Sequence, residues 1–190
     1  DELGKSGQMA FRMYAMISGG RTESAMVDRL VAQGPKSGIN GGTLWIRSIK
    51  LYSDGALGSR GAALLDPYSD DAKNNGLLVS DPKFIEAIAV KALKAGFQVN
   101  THAIGDRGNR VVLDAYEAAL KQVPVADHRF RIEHAQILNY ADIPRFAQLG
   151  VIPSMQASHQ TSDMYWAGTR SEEHTSELQS LRHLVCRLLL

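Results

Sequence analysis

The sequence has little of three features that would assign a protein to a definite class: cysteine, an excess of charge of one sign, and long apolar runs. Among its 190 residues there is one cysteine, Cys186, so no internal disulfide can form and the redox compartment is undetermined. The 21 Lys and Arg residues balance the 20 Asp and Glu residues, which gives no electrostatic case for binding nucleic acid or an anionic membrane. No apolar run reaches the roughly 18 residues of a membrane helix, so we predict no membrane span.

The beginning of the sequence lacks the usual signals as well. Asp1 stands in place of an initiator methionine, and the residues after it do not resemble a signal peptide. We therefore expect the chain to start inside a longer protein. Its localisation stays unknown, with the cytoplasm as the default.

What the sequence does contain is a regular alternation of strand and helix patterns. Strands are predicted over 11–18, 44–52, 97–102, 129–134 and 151–156, and helices over 22–33, 81–95, 106–123 and 141–149. Such alternation is typical of βαβ units and a parallel sheet. The interval from His102 to His134 matches the repeat of about 30 residues in a (β/α)8 barrel. Five strands do not close that barrel, so the predicted fold class is α/β, a partial (β/α)8 barrel.

Two local expectations bear on the site. Residues 53–80 form a long irregular insert rich in Gly, Asp, Ser and Asn, and segments of this kind often line binding sites. In the strand that ends at His134, we expect Arg131 and Glu133 to alternate away from the histidine and to form a salt bridge in the helix layer.

The chemistry is concentrated at three strand ends. In a (β/α)8 barrel the active site lies at the carboxyl ends of the strands, which here carry Lys50, His102 and His134. Neutral imidazole is a common ligand for zinc-like metals. A protonated lysine cannot coordinate a metal, but a lysine carboxylated by CO2 could bridge two cations with its carbamate oxygens. Paired cations make hydroxide at neutral pH and polarise carbonyl groups.

Three motifs carry a family resemblance. They are KLYSDGALGSRGAA from Lys50, NTHAIGD from Asn100 and RIEHAQ from Arg131. In this order they resemble the amidohydrolase superfamily, and most closely amidohydrolase family 3, which includes N-substituted formamide deformylases. The resemblance runs from about Met9 to Trp166.

The resemblance implies a metal-dependent hydrolase of non-peptide C–N bonds, with a small amide-type or formamide-type molecule as substrate. It makes His102 and His134 metal ligands on the fifth and sixth barrel strands, and Lys50 the carboxylated bridging ligand on the fourth. One or two divalent ions are implied, with zinc the first candidate. The chain would then span about strands 3 to 7 of the barrel. The residues expected near the substrate are Asp54, Arg60 and His159.

Parts of the family pattern have no counterpart in this sequence. The His-x-His pair of the first strand and the aspartate of the eighth strand, which serves as ligand and general base, are both missing. Asp163 comes too early to be that aspartate, so no catalytic base is assigned. We expect about half of a metal site, with weak metal binding and no turnover by this chain alone.

The end of the chain breaks with the composition before it. From about Arg170 the residues resemble a translated sequencing adapter. We therefore predict two segments, residues 1–169 as the central part of the barrel and 170–190 as a non-native tail. Three tail residues are not counted as ligands: His174, His183 and Cys186.

Two other interpretations compete with a hydrolase fragment. The polypeptide could be a catalytically inert barrel piece or a gene-model fragment, with exposed strand edges that favour aggregation. A nucleotide-dependent oxidoreductase is a remote alternative. Its G-x-G-x-x-G fingerprint does not match the spacing of Gly55, Gly58 and Gly61, and Pro67 interrupts the helix that such a loop would open.

Overall fold

The computed structural model describes residues 2–22, 24–163 and 165–170. Its elements alternate along the chain as α1 (Glu2–Lys5), β1 (Met13–Ser18), α2 (Ala25–Gln33), β2 (Lys36–Gly38), α3 (Ile39–Gly42), β3 (Leu44–Tyr52), α4 (Pro82–Ala95), β4 (Gln98–Ala103), α5 (Asp106–Gln122), β5 (Arg131–His134), α6 (Ile143–Leu149), β6 (Ile152–Met155), α7 (Ser158–Ser162) and α8 (Ala167–Arg170). All nine predicted strands and helices are present, and their ends differ from the predicted ones by at most three residues.

The strands form one sheet with the order β1-β3-β4-β5-β6. Each neighbouring pair along this path is parallel, and the short β2 pairs with β3 in the antiparallel direction. Consecutive parallel strands joined by helices are the repeating unit of a (β/α)8 barrel. The order therefore confirms the predicted α/β fold and its description as part of such a barrel.

The helices α4 and α5 cover one side of the sheet and form the main core with it. Ile49 and Leu51 of β3, Val99 of β4 and Ile132 of β5 are fully buried in a single apolar cluster with residues of these helices. The caps of α4 explain its bounds. The Asp81 carboxylate accepts a hydrogen bond from the Lys83 backbone N–H at 2.7 Å, and Pro82 occupies the first helical position.

The predicted orientation of Arg131 and Glu133 is wrong. Ile132 between them packs in the helix-facing core, so its two neighbours lie on the opposite side of the sheet, the side of Lys50. The predicted salt bridge itself is present, since Arg131 Nη2 lies 2.5 Å from Glu133 Oε1. The alternation of β5 does not extend to His134, because the backbone of that residue leaves the strand conformation with a φ of 77°.

The insert 53–80 is irregular, as predicted, but it is packed. Leu57, Leu64 and Tyr68 are buried in a second apolar cluster with Ile104 and Ile137, which follow the carboxyl ends of β4 and β5. The Tyr68 hydroxyl donates to the Ala62 carbonyl at 2.8 Å. The insert thus covers the end of the sheet that carries the candidate site.

Within the described ranges, no helix combines the length and the apolar character needed to cross a membrane. Of the predicted tail 170–190, only Arg170 is described, and residues 171–190 lie outside the described part of the chain.

Candidate metal centre at the carboxyl ends of the strands

The sheet brings the two predicted histidine ligands together. His102 and His134 stand near the carboxyl ends of the adjacent strands β4 and β5, and their register differs by one residue. Their ring centroids are 4.6 Å apart, and the ring planes meet at 70°. The sequence could only suggest that the two rings are close. At this distance both imidazoles can face one small volume.

An unusual backbone conformation directs the imidazole of His134. By alternation along β5 the side chain would follow Ile132 into the helix-facing core. Instead His134 has a φ of 77° and Ala135 a φ of 44°, both in the left-handed region that residues other than glycine seldom adopt. Strained conformations of this kind concentrate at functional sites. Here the strain accompanies a side chain that meets His102 rather than the core.

Two residues that follow β6 contact the His134 ring, Gln156 just after the strand and His159 in α7. Its Nδ1 lies 2.6 Å from Oε1 of Gln156, which is a hydrogen-bond distance. The ring of His159 is stacked on it at a centroid distance of 5.8 Å and an interplanar angle of 21°. His159 thus lies beside His134 at the candidate site, and its predicted contact with substrate stays a prediction. Gln156 was not predicted.

His102 is held in its neutral form. Burial, and next the neighbouring His134, lower the pKa of the His102 imidazole to about 4. Its Nε2 lies 3.4 Å from the Gly55 carbonyl oxygen and 3.5 Å from Asp54 Oδ1. A neutral ring anchored through Nε2 keeps the lone pair of Nδ1 for another partner, and metal ligation requires such a neutral imidazole.

Lys50 places a buried amine on the same side of the sheet. Its Nζ is buried and has no hydrogen-bond partner among the described residues. Burial is the main reason that the pKa of the Lys50 ammonium falls to about 8. The charge of Glu133 raises this pKa, and the charge of Arg131 lowers it. The same Nζ lies 4.8 Å from the centre of the Tyr52 ring. An amine that is neutral near pH 8 is a nucleophile for CO2.

Asp54 has a structural role in this geometry. One carboxylate oxygen accepts backbone N–H bonds from Ala63 and Gly105 at 2.9 and 2.8 Å, and the other accepts one from Ile104 at 3.0 Å. The side chain is fully buried, and burial raises the pKa of this carboxyl to about 6. Asp54 therefore joins the insert to the turn after β4, and its predicted contact with substrate stays a prediction.

Close packing around this carboxylate explains two glycines after His102. A Cβ added to Gly105 would lie 2.0 Å from the Ala63 carbonyl oxygen, and one added to Gly108 would lie 2.5 Å from Asp54 Oδ2. Both distances are far below normal contact distances. Asp106 is the first helical residue of α5, and its Oδ1 accepts a hydrogen bond from the Leu65 backbone N–H at 2.9 Å.

Arg60 pairs with another part of the insert. Its guanidinium donates to both oxygens of Asp70, at 3.0 and 2.8 Å. Arg170 contacts the same carboxylate at 2.5 Å. The role of Arg60 toward substrate stays a prediction, and in this conformation the side chain serves to connect segments of the insert and α8.

The donor set fits part of a metal centre. Two imidazoles lie side by side, and in each the nitrogen that is not used for anchoring has no hydrogen-bond partner in the described part of the chain. The buried, unpartnered Nζ of Lys50 adds a group that carboxylation would convert into an oxygen ligand. Among the described residues, no three His, Cys, Asp or Glu side chains come together as a metal-binding group.

A separate cavity of about 570 Å³ lies at the opposite end of the sheet, lined by residues that include Tyr14, Trp45, Phe97 and Arg129. These residues are at or before the starts of the strands, whereas the histidines are near the strand ends. Because barrel enzymes place their active sites at the carboxyl ends, this cavity is not the candidate site.

Comparison with known proteins agrees with the geometry. The sequence is 41% identical over 120 residues to the protein LONG AFTER FAR-RED 3 of Arabidopsis thaliana, which covers 63% of this chain and 21% of that protein. It is 31% identical over 140 residues to an N-substituted formamide deformylase of Arthrobacter pascens, covering 73% of this chain and 23% of that enzyme. The chain thus spans between a fifth and a quarter of the length of these relatives.

A solved structure has a similar fold over most of the chain. It is an uncharacterized metal-dependent hydrolase from Pyrococcus furiosus, with a TM-score of 0.76 and 32% sequence identity, and the match covers 89% of this chain and 33% of the hydrolase. The model of the amidohydrolase family matches residues 2–184 of the sequence. The chain described here therefore belongs to the amidohydrolase family.

Proposed function

We propose that this chain carries part of the metal centre of a hydrolase that cleaves C–N bonds other than peptide bonds. The single observation that carries the proposal is the pair of imidazoles, His102 and His134, 4.6 Å apart at the ends of adjacent strands. The metal-dependent hydrolase of similar fold supports metal-dependent hydrolysis. Membership of the amidohydrolase family and the named deformylase relative support C–N bonds as the target.

Each proposed ligand has a distinct role. His102 and His134 would bind a divalent ion, with zinc as the first candidate, through the ring nitrogens that are not anchored by Gly55 and Gln156. Lys50 would bind as a carbamate. Its formation requires the amine lone pair to attack CO2 and a proton to leave the nitrogen, and the lowered pKa of Lys50 makes the neutral amine available. The ion, when bound, supplies Lewis acidity toward a carbonyl group and lowers the pKa of water.

The proposed substrate is a small molecule of the amide or formamide type. His159 would contact it, since this ring stacks on His134 and is partly exposed at the same end of the sheet. Burial lowers the pKa of the His159 imidazole, so this side chain would meet the substrate as a neutral donor or acceptor. A preference for formamides over other amides is supported by the name of the deformylase relative alone.

The proposal is tested by zinc titration of the full chain in competition with a chromophoric chelator. His174 and His183, which lie outside the described residues, are replaced by Ala in all samples so that tail imidazoles do not contribute. We expect His102→Ala and His134→Ala each to weaken zinc binding at least about tenfold, because even loss of a group that only supports a metal ligand costs roughly 10–100-fold.

His128→Ala is the matched control. His128 is another buried imidazole, with Nε2 2.9 Å from the Leu149 carbonyl oxygen. It precedes β5 and so lies at the end of the sheet opposite to the carboxyl ends that carry His102 and His134. Its removal should leave zinc affinity unchanged. Equal affinities for all four proteins would contradict the assignment of the two histidines.

The substrate class needs a separate measurement. In the zinc-loaded chain, an N-substituted formamide such as N-butylformamide should shift the NMR signals of the His159 ring, and the matching alkyl ester should shift them less. Equal shifts with both compounds would remove the preference for C–N bonds from the proposal.

A further inference from the structure

The hydrogen bond between His134 and Gln156 is the most direct contact that either proposed imidazole ligand makes with another side chain. The two atoms, Nδ1 and Oε1, are 2.6 Å apart. In the β5–β6 register His134 is paired with Met155, so the next residue, Gln156, stands beside it where the strand ends. This contact places an amide oxygen against one particular nitrogen of the ring.

The backbone holds Gln156 in that position. Its carbonyl oxygen accepts the His159 backbone N–H at 3.1 Å, which joins the end of β6 to the first turn of α7. The same turn carries the His159 ring that stacks on His134. The imidazole of His134 is thus held at its edge by Gln156 and on its face by His159.

The bond determines which nitrogen of His134 carries the proton. An amide oxygen only accepts hydrogen bonds, so Nδ1 must donate and must therefore be protonated. In a neutral imidazole the lone pair is then on Nε2. Partners that fix the tautomer and the orientation of a ligand histidine in this way are common around metal sites.

We propose that Gln156 is the positioning residue of the metal centre: it holds His134 in the Nδ1–H tautomer and so presents Nε2 to the metal. This inference rests on the proposed function, because it concerns the ligand geometry of the same site. Gln156 does not itself touch the metal or the reacting atoms, and it acts through His134.

The first test measures the tautomer without any metal. Long-range 1H–15N correlation spectra of the 15N-histidine-labelled, metal-free chain distinguish the Nδ1–H from the Nε2–H form, and the His134→Gln spectrum identifies the signals. We expect the Nδ1–H form in the unsubstituted chain, a mixture of both forms in Gln156→Leu, and the Nδ1–H form again in Gln156→Glu, which keeps an acceptor oxygen.

The second test is zinc affinity in the same proteins, by chelator competition. Gln156→Leu should weaken binding roughly 10–100-fold, and Gln156→Glu should recover most of the loss. Gln122→Leu is the matched control. It removes another exposed glutamine with one side-chain hydrogen bond, to Glu86 at 2.8 Å, and should change neither the tautomer nor the affinity.

The outcomes separate this inference from the proposed function. An Nε2–H form in the unsubstituted chain, or an unchanged Nδ1–H form in Gln156→Leu, would overturn the role of Gln156, even if zinc binds. Equal zinc affinity of the Gln156→Leu and unsubstituted chains would overturn it as well. If the tautomer depends on Gln156 but the unsubstituted chain binds no zinc, control of the tautomer is supported and the proposed function fails.

Discussion

Replacing Asp54 by alanine tests how the insert is attached to the site. The substitution removes the acceptor of three backbone N–H groups, those of Ala63, Ile104 and Gly105, which connect the insert to the turn after His102. The side chain is fully buried, so water does not replace the lost bonds without rearrangement. We therefore expect Asp54→Ala to destabilise the fold strongly, although Asp54 lies outside the main apolar core.

The magnitude follows from two opposing contributions. Three buried donors left without an acceptor cost about 1–3 kcal/mol each, or about 3–9 kcal/mol together. The carboxylate is itself costly to bury, since its pKa is raised from 3.8 to about 6. Removing that charge at pH 7 returns about 3 kcal/mol, at about 1.4 kcal/mol for each pKa unit. The expected net loss in the free energy of unfolding is therefore about 3 kcal/mol.

Urea denaturation followed by circular dichroism measures this loss at pH 7. The control is Asp28→Ala, which removes an exposed carboxylate paired with Lys91 at 2.6 Å and should change the stability little, because solvent screens an exposed ion pair. A loss for Asp54→Ala no larger than that of the control would refute the view that this carboxylate anchors the insert.

Two further predictions address the turn after β4 and the proposed lysine ligand. Gly105→Ala should cost at least about 2 kcal/mol of unfolding free energy, because its Cβ would lie 2.0 Å from the Ala63 carbonyl oxygen. Gly58→Ala, whose Cβ would meet only Trp166 at 3.4 Å, should cost clearly less in the same denaturation assay, and equal losses would argue against close packing at Gly105. With 13C-bicarbonate, a carbamate NMR signal should grow as the pH rises from about 7 to 9, because Lys50, with its pKa of about 8, becomes neutral over that range. The signal should disappear in Lys50→Arg and persist in Lys83→Arg, whose lysine is exposed, and the reverse pattern would place carboxylation elsewhere.

The elements that local chemistry determines could be predicted from the sequence. β3 has the predicted bounds, Leu44–Tyr52, and α4 begins after its Asp81 cap and ends just before Gly96, whose φ is 75°. The position of His102 and His134 near the ends of adjacent strands also followed from the strand-helix repeat. These features depend on short-range patterns, which a single sequence contains.

The predictions that were wrong, and the residues that were not predicted, concern features that depend on tertiary contacts. The left-handed backbone at His134 interrupts the alternation of β5, and for that reason Arg131 and Glu133 lie on the opposite side from the one predicted. Gln156 was missed because its contact with His134 joins two strands and has no local motif. The structural role of Asp54 arises from the path of the insert, which no periodic pattern describes.

The central claim is that His102 and His134 bind one metal ion between them. Crystals of the full chain soaked in saturating zinc, measured at the zinc absorption edge, test it directly by anomalous difference maps. The claim predicts a peak about 2.0–2.1 Å from Nδ1 of His102 and from Nε2 of His134. A peak bound elsewhere, such as at His128, or no peak near the two rings, would contradict it.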